Sequence, residues 1–105
     1  MTASEAIRLA DFREFSADRH IAKLMHDSDK CRVVLFCLEA GQELAPHESS
    51  SEVVFYGVEG KCQVLVGHER IELQPQTIVT CPPGVSHGLK GDTRTVVMAT
   101  IAPRP

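Results

Sequence analysis

The chain carries no excess of positive charge: 11 lysines and arginines stand against 14 aspartates and glutamates, for a formal net charge of −3. Nucleic-acid binders and proteins held on acidic membranes need a basic patch, so neither kind of partner is expected. Long hydrophobic runs are missing too. No segment approaches the roughly 20 apolar residues that span a bilayer. The opening Met1-Thr2-Ala3-Ser4-Glu5-Ala6 lacks the basic start and apolar stretch of a secretory signal, which leads us to expect a cytoplasmic protein. There is no Cys-x-x-Cys pair among Cys31, Cys37, Cys62 and Cys81, which argues against a redox couple. Three of these cysteines sit inside strand-like apolar runs, where a reduced thiol behaves as a small hydrophobe. Repeats, low-complexity tracts and any ten-residue stretch of helical period are also lacking.

What remains is a pattern of short strands. The 105 residues suit one domain, and a chain of this size buries about two thirds of its unfolded surface. Strand-like segments run from His20 to Met25, Cys31 to Leu38, Glu52 to Glu59 (stopped by Gly60), Cys62 to Val66, Glu69 to Leu73, Thr77 to Cys81, Ser86 to Leu89 and Thr93 to Ile101. Glycine, proline and polar clusters separate them, and Gly67-His68 reads as a two-residue hairpin turn. Around eight short strands at this spacing predict an all-β sandwich or barrel. Periodicity alone does not choose between them. Residues 1–19 form an N-terminal segment, an edge strand or a helical turn, ahead of a barrel domain over 20–105.

Two turns carry the chemistry. In Pro82-Pro83-Gly84-Val85-Ser86-His87, two prolines fix φ and remove two backbone donors while Gly84 can take a positive φ. The turn is stiff, and it sets His87 at the start of an apolar strand. Some 40 residues earlier, Gly41-Gln42-Glu43-Leu44-Ala45-Pro46-His47 ends a strand, turns, and places His47 directly after a proline. A short polar loop, Glu48 to Ser51, follows.

Together these stretches resemble the two motifs of the cupin superfamily, G-x5-H-x-H-x3,4-E-x6-G and G-x5-P-x-G-x2-H-x3-N. Gly41, His47 and Gly60 fit the first, and Pro82, Gly84 and His87 fit the second. The chain is therefore similar to small, single-domain, RmlC-like cupins. The resemblance implies a double-stranded β-helix, the jelly-roll barrel, with His47 and His87 converging in its open mouth. It also implies a divalent transition metal, Fe, Mn, Ni or Zn, and chemistry of the dioxygenase, isomerase or decarboxylase kind.

The family's ligand set is incomplete here. Ser49 stands in the slot of the second histidine. Counting back seven positions from Gly60 reaches Val53, while the nearby carboxylate is Glu52. On a strand, successive side chains face opposite ways, so if Val53, Phe55 and Gly57 point inward, Glu52, Val54 and Tyr56 point outward. Glu52 becomes a third ligand or general base only through a bulge. The expected metal set is His47, His87 and Glu52, with Ser49, Phe55 and Met98 lining the pocket. A metal-free pocket, in which the two imidazoles bind ligand or backbone groups, stays open beside it. Either way, we expect a small-molecule ligand, carboxylate or sugar-like.

Elsewhere the plainer readings hold. His68 belongs to an exposed turn, His20 and His26 to the surface or rim, and Phe36 to the core. Cys62 and Cys81 are packing residues unless one turns inward as a soft ligand. The outward Val54 and Tyr56 leave an apolar face that a second copy of the chain would cover, so a homodimer is expected.

Overall fold

The computed structural model describes residues 4–105. Its described residues form nine strands: β1 (Ile21–Asp27), β2 (Arg32–Leu38), β3 (Glu43–His47), β4 (Glu52–Glu59), β5 (Cys62–Val66), β6 (Glu69–Leu73), β7 (Ile78–Cys81), β8 (His87–Gly91) and β9 (Thr95–Ala102). They pair antiparallel into a five-stranded sheet, β1-β2-β9-β4-β7, and a four-stranded sheet, β3-β8-β5-β6. The two sheets enclose the main core, in which Phe55, Leu38, Leu73, Leu89, Val53 and Val64 are almost fully buried. This is the expected all-β jelly-roll barrel.

Strand alternation decides what faces the core. Along β4, Val53, Phe55 and Gly57 are buried while Glu52 is exposed and Val54 and Tyr56 are half-buried. Cys62 and Val64 on β5 follow the same two-residue period. The hairpin from β5 to β6 turns at Gly67-His68, and Gly67 takes a φ of 59°. At the far end of β4, Gly57 is obligatory for a different reason. The turn between β6 and β7 docks on it through Gln76 N–H to Gly57 O and Gly57 N–H to Thr77 O, both 2.9 Å. A Cβ at position 57 would meet Gln74 O at 2.0 Å.

The segment ahead of β1 holds a 3-10 turn, Leu9–Phe12, and not an edge strand. Its side chains cover part of the outer face of the five-stranded sheet. Leu9 and Phe15 pack, with Met25, Val58 and Met98, on a second apolar cluster of Leu35, Cys37 and Val96. A charged pair and two cation–ring contacts hold this strap. Arg13 donates to Glu59 and Arg94 to Glu39, each through two nitrogens, and both guanidiniums lie over the Phe15 ring at 4.7 and 4.3 Å.

Strand β3 falls where the sequence reads as a turn. It is short, contains Pro46, which has no N–H to donate, and its pairing with β8 is irregular between Leu44 and His47. All four cysteines are free; Cys37, Cys62 and Cys81 are buried and Cys31 half-buried. Among the described residues, no helix is long and apolar enough to cross a membrane.

Candidate functional site

His47 ends β3 and His87 begins β8, and the two are Cα partners in the antiparallel pairing. Side chains of paired residues stand on the same side of a sheet. Their rings accordingly meet, with centroids 4.7 Å apart and planes inclined by 56°. Gly88 allows the close approach of the two strands: a Cβ there would lie 2.6 Å from Leu44 O and 2.9 Å from Pro46 N. The loops that deliver the histidines are also tied together. Gly84, at φ 78°, donates its N–H to Ser49 O at 2.7 Å.

The two rings border a cavity of about 40 Å³. Six apolar side chains, Phe36, Leu44, Val53, Phe55, Ala99 and Ile101, complete its wall. The Phe55 ring stands edge-on to His87 at 6.0 Å. His87 is only 4% exposed, whereas His47 lies at the solvent side. Each Nδ1 sits 3.3 Å from the carbonyl oxygen two residues earlier, Ala45 O for His47 and Val85 O for His87. Burial holds His87 below the ordinary imidazole range; the Val85 carbonyl acts in the opposite direction and His47 adds to the depression.

Of the residues expected around the rings, Phe55 lines the cavity. Glu52 does not. Its strand runs in unbroken register from Glu52 to Gly57, and the irregularity falls at the other end, between Gly57 and Glu59. No bulge turns the carboxylate inward, so Glu52 stays exposed on the face opposite Val53. Met98 also lies away from its expected place: it packs in the outer cluster with Leu35, Cys37 and Val96, while its neighbour Ala99 reaches the cavity. Ser49 is half-buried outside the cavity wall, its Oγ accepting the Ser51 N–H at 3.1 Å. Of the remaining histidines, His20, just ahead of β1, is tied to β3 through Glu43 O at 3.1 Å and packs on Phe36, while His26 and His68 are exposed.

The Cupin domain family profile matches residues 34–101, roughly two thirds of the chain and both histidine loops. The chain belongs to the cupin family. Solved structures agree with it over nearly the whole cupin fold. The TT1209 protein from Thermus thermophilus is 26% identical, with a TM-score of 0.92 over 97% of this chain and 100% of that one. An RmlC-like cupin protein from Desulfovibrio desulfuricans is 27% identical, with a TM-score of 0.89 over 97% and 99%. Salicylate 1,2-dioxygenase (G106A mutant) from Pseudoaminobacter salicylatoxidans is 22% identical, with a TM-score of 0.75, and matches 90% of this cupin but 30% of its own chain. At that identity the likeness concerns the fold. No functionally curated protein matches in sequence.

Many cupins hold a metal in this mouth, and the donors present here do not fit one. Among the described residues, no three of His, Cys, Asp and Glu are grouped closely enough to ligate an ion. The second histidine slot is Ser49, turned to the backbone, and the glutamate slot is Val53, an apolar wall. Nor do the thiols substitute. Cys62 and Cys81 are buried in the main core, neither lines the cavity, and burial pushes Cys62 up to about 12 and raises Cys81 as well, as expected of packing groups. The second motif departs too: six positions before Pro82 its opening glycine is Gln76, which nonetheless takes a φ of 63°.

Proposed function

We propose that this cupin binds a small molecule in its barrel mouth, held by His47 and His87 directly rather than through a metal. The observation that carries the reading is the composition of the wall: two touching imidazoles in an otherwise apolar cavity, one of them buried. A two-histidine, one-carboxylate triad would leave a metal open positions for chemistry; two histidines alone do not make that set. Fold does not decide between turnover and binding, and the site residues argue for binding.

Elemental analysis tests this. Wild-type protein and a His47→Ala, His87→Ala double variant, each equilibrated with Zn²⁺, Mn²⁺, Fe²⁺ or Ni²⁺ and desalted, are expected to retain equal background metal. Stoichiometric metal in the wild type alone would restore the metal-dependent reading and its dioxygenase, isomerase or decarboxylase chemistry.

We also propose a homodimer through the outer face of the five-stranded sheet. Cross-strand register sets Ile78, Tyr56 and Met98 side by side there, beside Val54, and Ile78 is 60% exposed. Light scattering at micromolar concentration should give twice the 11.5 kDa chain mass, and Tyr56→Arg should halve it. A monomeric wild type overturns this assignment.

A further inference from the structure

We infer that the group received between His47 and His87 is an uncharged hydrogen-bond donor, a hydroxyl on a slim apolar body, and not a carboxylate. The inference rests on the metal-free reading of the pocket and narrows its ligand class.

The argument starts from the paired Nδ1 contacts. A carbonyl oxygen only accepts, so an imidazole nitrogen held 3.3 Å from Ala45 O or Val85 O must carry the proton. In a neutral ring, the proton at Nδ1 leaves the lone pair at Nε2. The same local device acts twice, once after Ala45-Pro46 and once after Val85-Ser86. Both rings therefore present acceptors away from their own strands.

For His87, whose side chain lines the cavity, this acceptor is the ring atom left for a ligand. The residue is 4% exposed, and among the described residues its side chain hydrogen-bonds only through Nδ1. Among the described residues, no buried side-chain nitrogen or oxygen lacks a partner, so the unbonded Nε2 must border accessible space rather than protein. An acceptor in an apolar pocket rewards a donor and penalises a second acceptor.

Charge points the same way. Among the described residues, the cavity wall contains no lysine or arginine to offset an anion; its polar side chains are the two imidazoles. Burial further favours the neutral form of His87. A carboxylate would bring two more acceptors to the buried His87, whose surroundings disfavour the cationic form it would need to offset that charge. Size narrows the class again. A space of about 40 Å³ admits a few non-hydrogen atoms, since one water needs about 10–15 Å³. The tip of the ligand enters, and its body stays at the mouth.

Phenol, anisole and benzoate form a matched set of probes: same ring, with a donor, a methyl-capped oxygen and an anion. Long-range ¹H–¹⁵N spectra of the histidine rings in the free protein should show both Nδ1–H tautomers. Phenol should move the Nε2 resonance of His87 and bind about tenfold more tightly than anisole, the worth of one hydrogen bond. Benzoate should leave Nε2 unmoved. In His87→Leu, which keeps the wall apolar, the preference for phenol over anisole should vanish. Nε2–H tautomers, or benzoate bound more tightly than phenol, would overturn the inference while leaving the pocket reading intact. If no probe perturbs any resonance of the cavity wall, the pocket reading itself fails.

Discussion

Val53→Glu is expected to convert this cupin into a metal protein. Val53 is 2% exposed, lines the cavity beside His47 and His87, and occupies the position where the family motif places its glutamate. A carboxylate there would complete a two-histidine, one-carboxylate set with open positions. Metal content after loading with Zn²⁺ or Fe²⁺ and desalting should rise from background to about one ion per chain, tetrahedral or facial geometry leaving the remaining sites to water. The unloaded variant should be less stable, because an unpaired carboxylate in an apolar wall is costly and is forced toward its protonated form. Metal at one hundred times its dissociation constant should return about 2.7 kcal/mol. Wild-type protein melted with the same ions should not respond. A wild type stabilised as strongly as the variant would show that two imidazoles suffice, contrary to the donor set described above. A folded Val53→Glu that takes up no ion would show that position 53 does not face the rings.

The strands were legible because their punctuation is local, while the choice of jelly roll came from the resemblance to the cupin motifs. Gly67-His68 and the Pro82-Pro83-Gly84 turn each mark a strand end by local backbone chemistry. Strands β2, β4 and β9 announce themselves through β-branched and aromatic residues. Strand β3 does not, since Glu43-Leu44-Ala45-Pro46-His47 has neither strong β propensity nor a clean alternation. It exists because β8 offers it partners and because Gly88 has no side chain to hold it away. The N-terminal turn at Leu9–Phe12 is likewise set by tertiary packing. Leu9 and Phe15 have a place to go only once the outer sheet face has been assembled.

The site was half legible, for a definable reason. On β4 the polar Glu52 breaks the symmetry of the two faces, so the inward set Val53, Phe55 and Gly57 can be phased from the sequence, and the same phase sends Glu52 outward. On β9 nothing breaks it. Thr95 to Ile101 is apolar or small on both faces, because one face lines the barrel and the other meets the N-terminal strap and the outer cluster. Met98 therefore reads as a pocket residue, while the residues that reach the cavity from this strand are Ala99 and Ile101. A bulky side chain is a poor guide to which way a doubly covered strand faces. Phe36 shares this ambiguity on β2, where Leu35 and Cys37 are buried outward and Phe36 turns to the cavity. The local turns put His47 and His87 at strand ends, and only the resemblance to the cupin motifs implied that the two would stand opposite each other, as they do.

Phe55→Ala provides the sharpest test of that phase. Phe55 is the largest fully buried side chain, 1% exposed, and it stands edge-on to His87. Truncating a phenylalanine in such a site costs about 3 to 5 kcal/mol, through lost transfer energy and the void left behind. In a domain of this size each kcal/mol lowers the melting temperature by about 4 to 8 °C, so a fall of at least about 12 °C is expected. The void would merge with the cavity beside the histidines, and an enlarged, mostly apolar space of this kind takes up benzene-sized molecules. Toluene should therefore stabilise Phe55→Ala and leave the wild type unchanged, and the Nε2 resonance of His87 should move when it binds. Met98→Ala removes side-chain atoms from the other side of the same sheet. It should cost less, because Met98 is half-buried, and it should gain no response to toluene, because its void opens to the outer cluster. Were Met98→Ala to acquire toluene binding and Phe55→Ala not, the inward and outward faces of the five-stranded sheet would be exchanged. His87, whose ring rests against Phe55, would then no longer border the cavity that the proposed ligand needs.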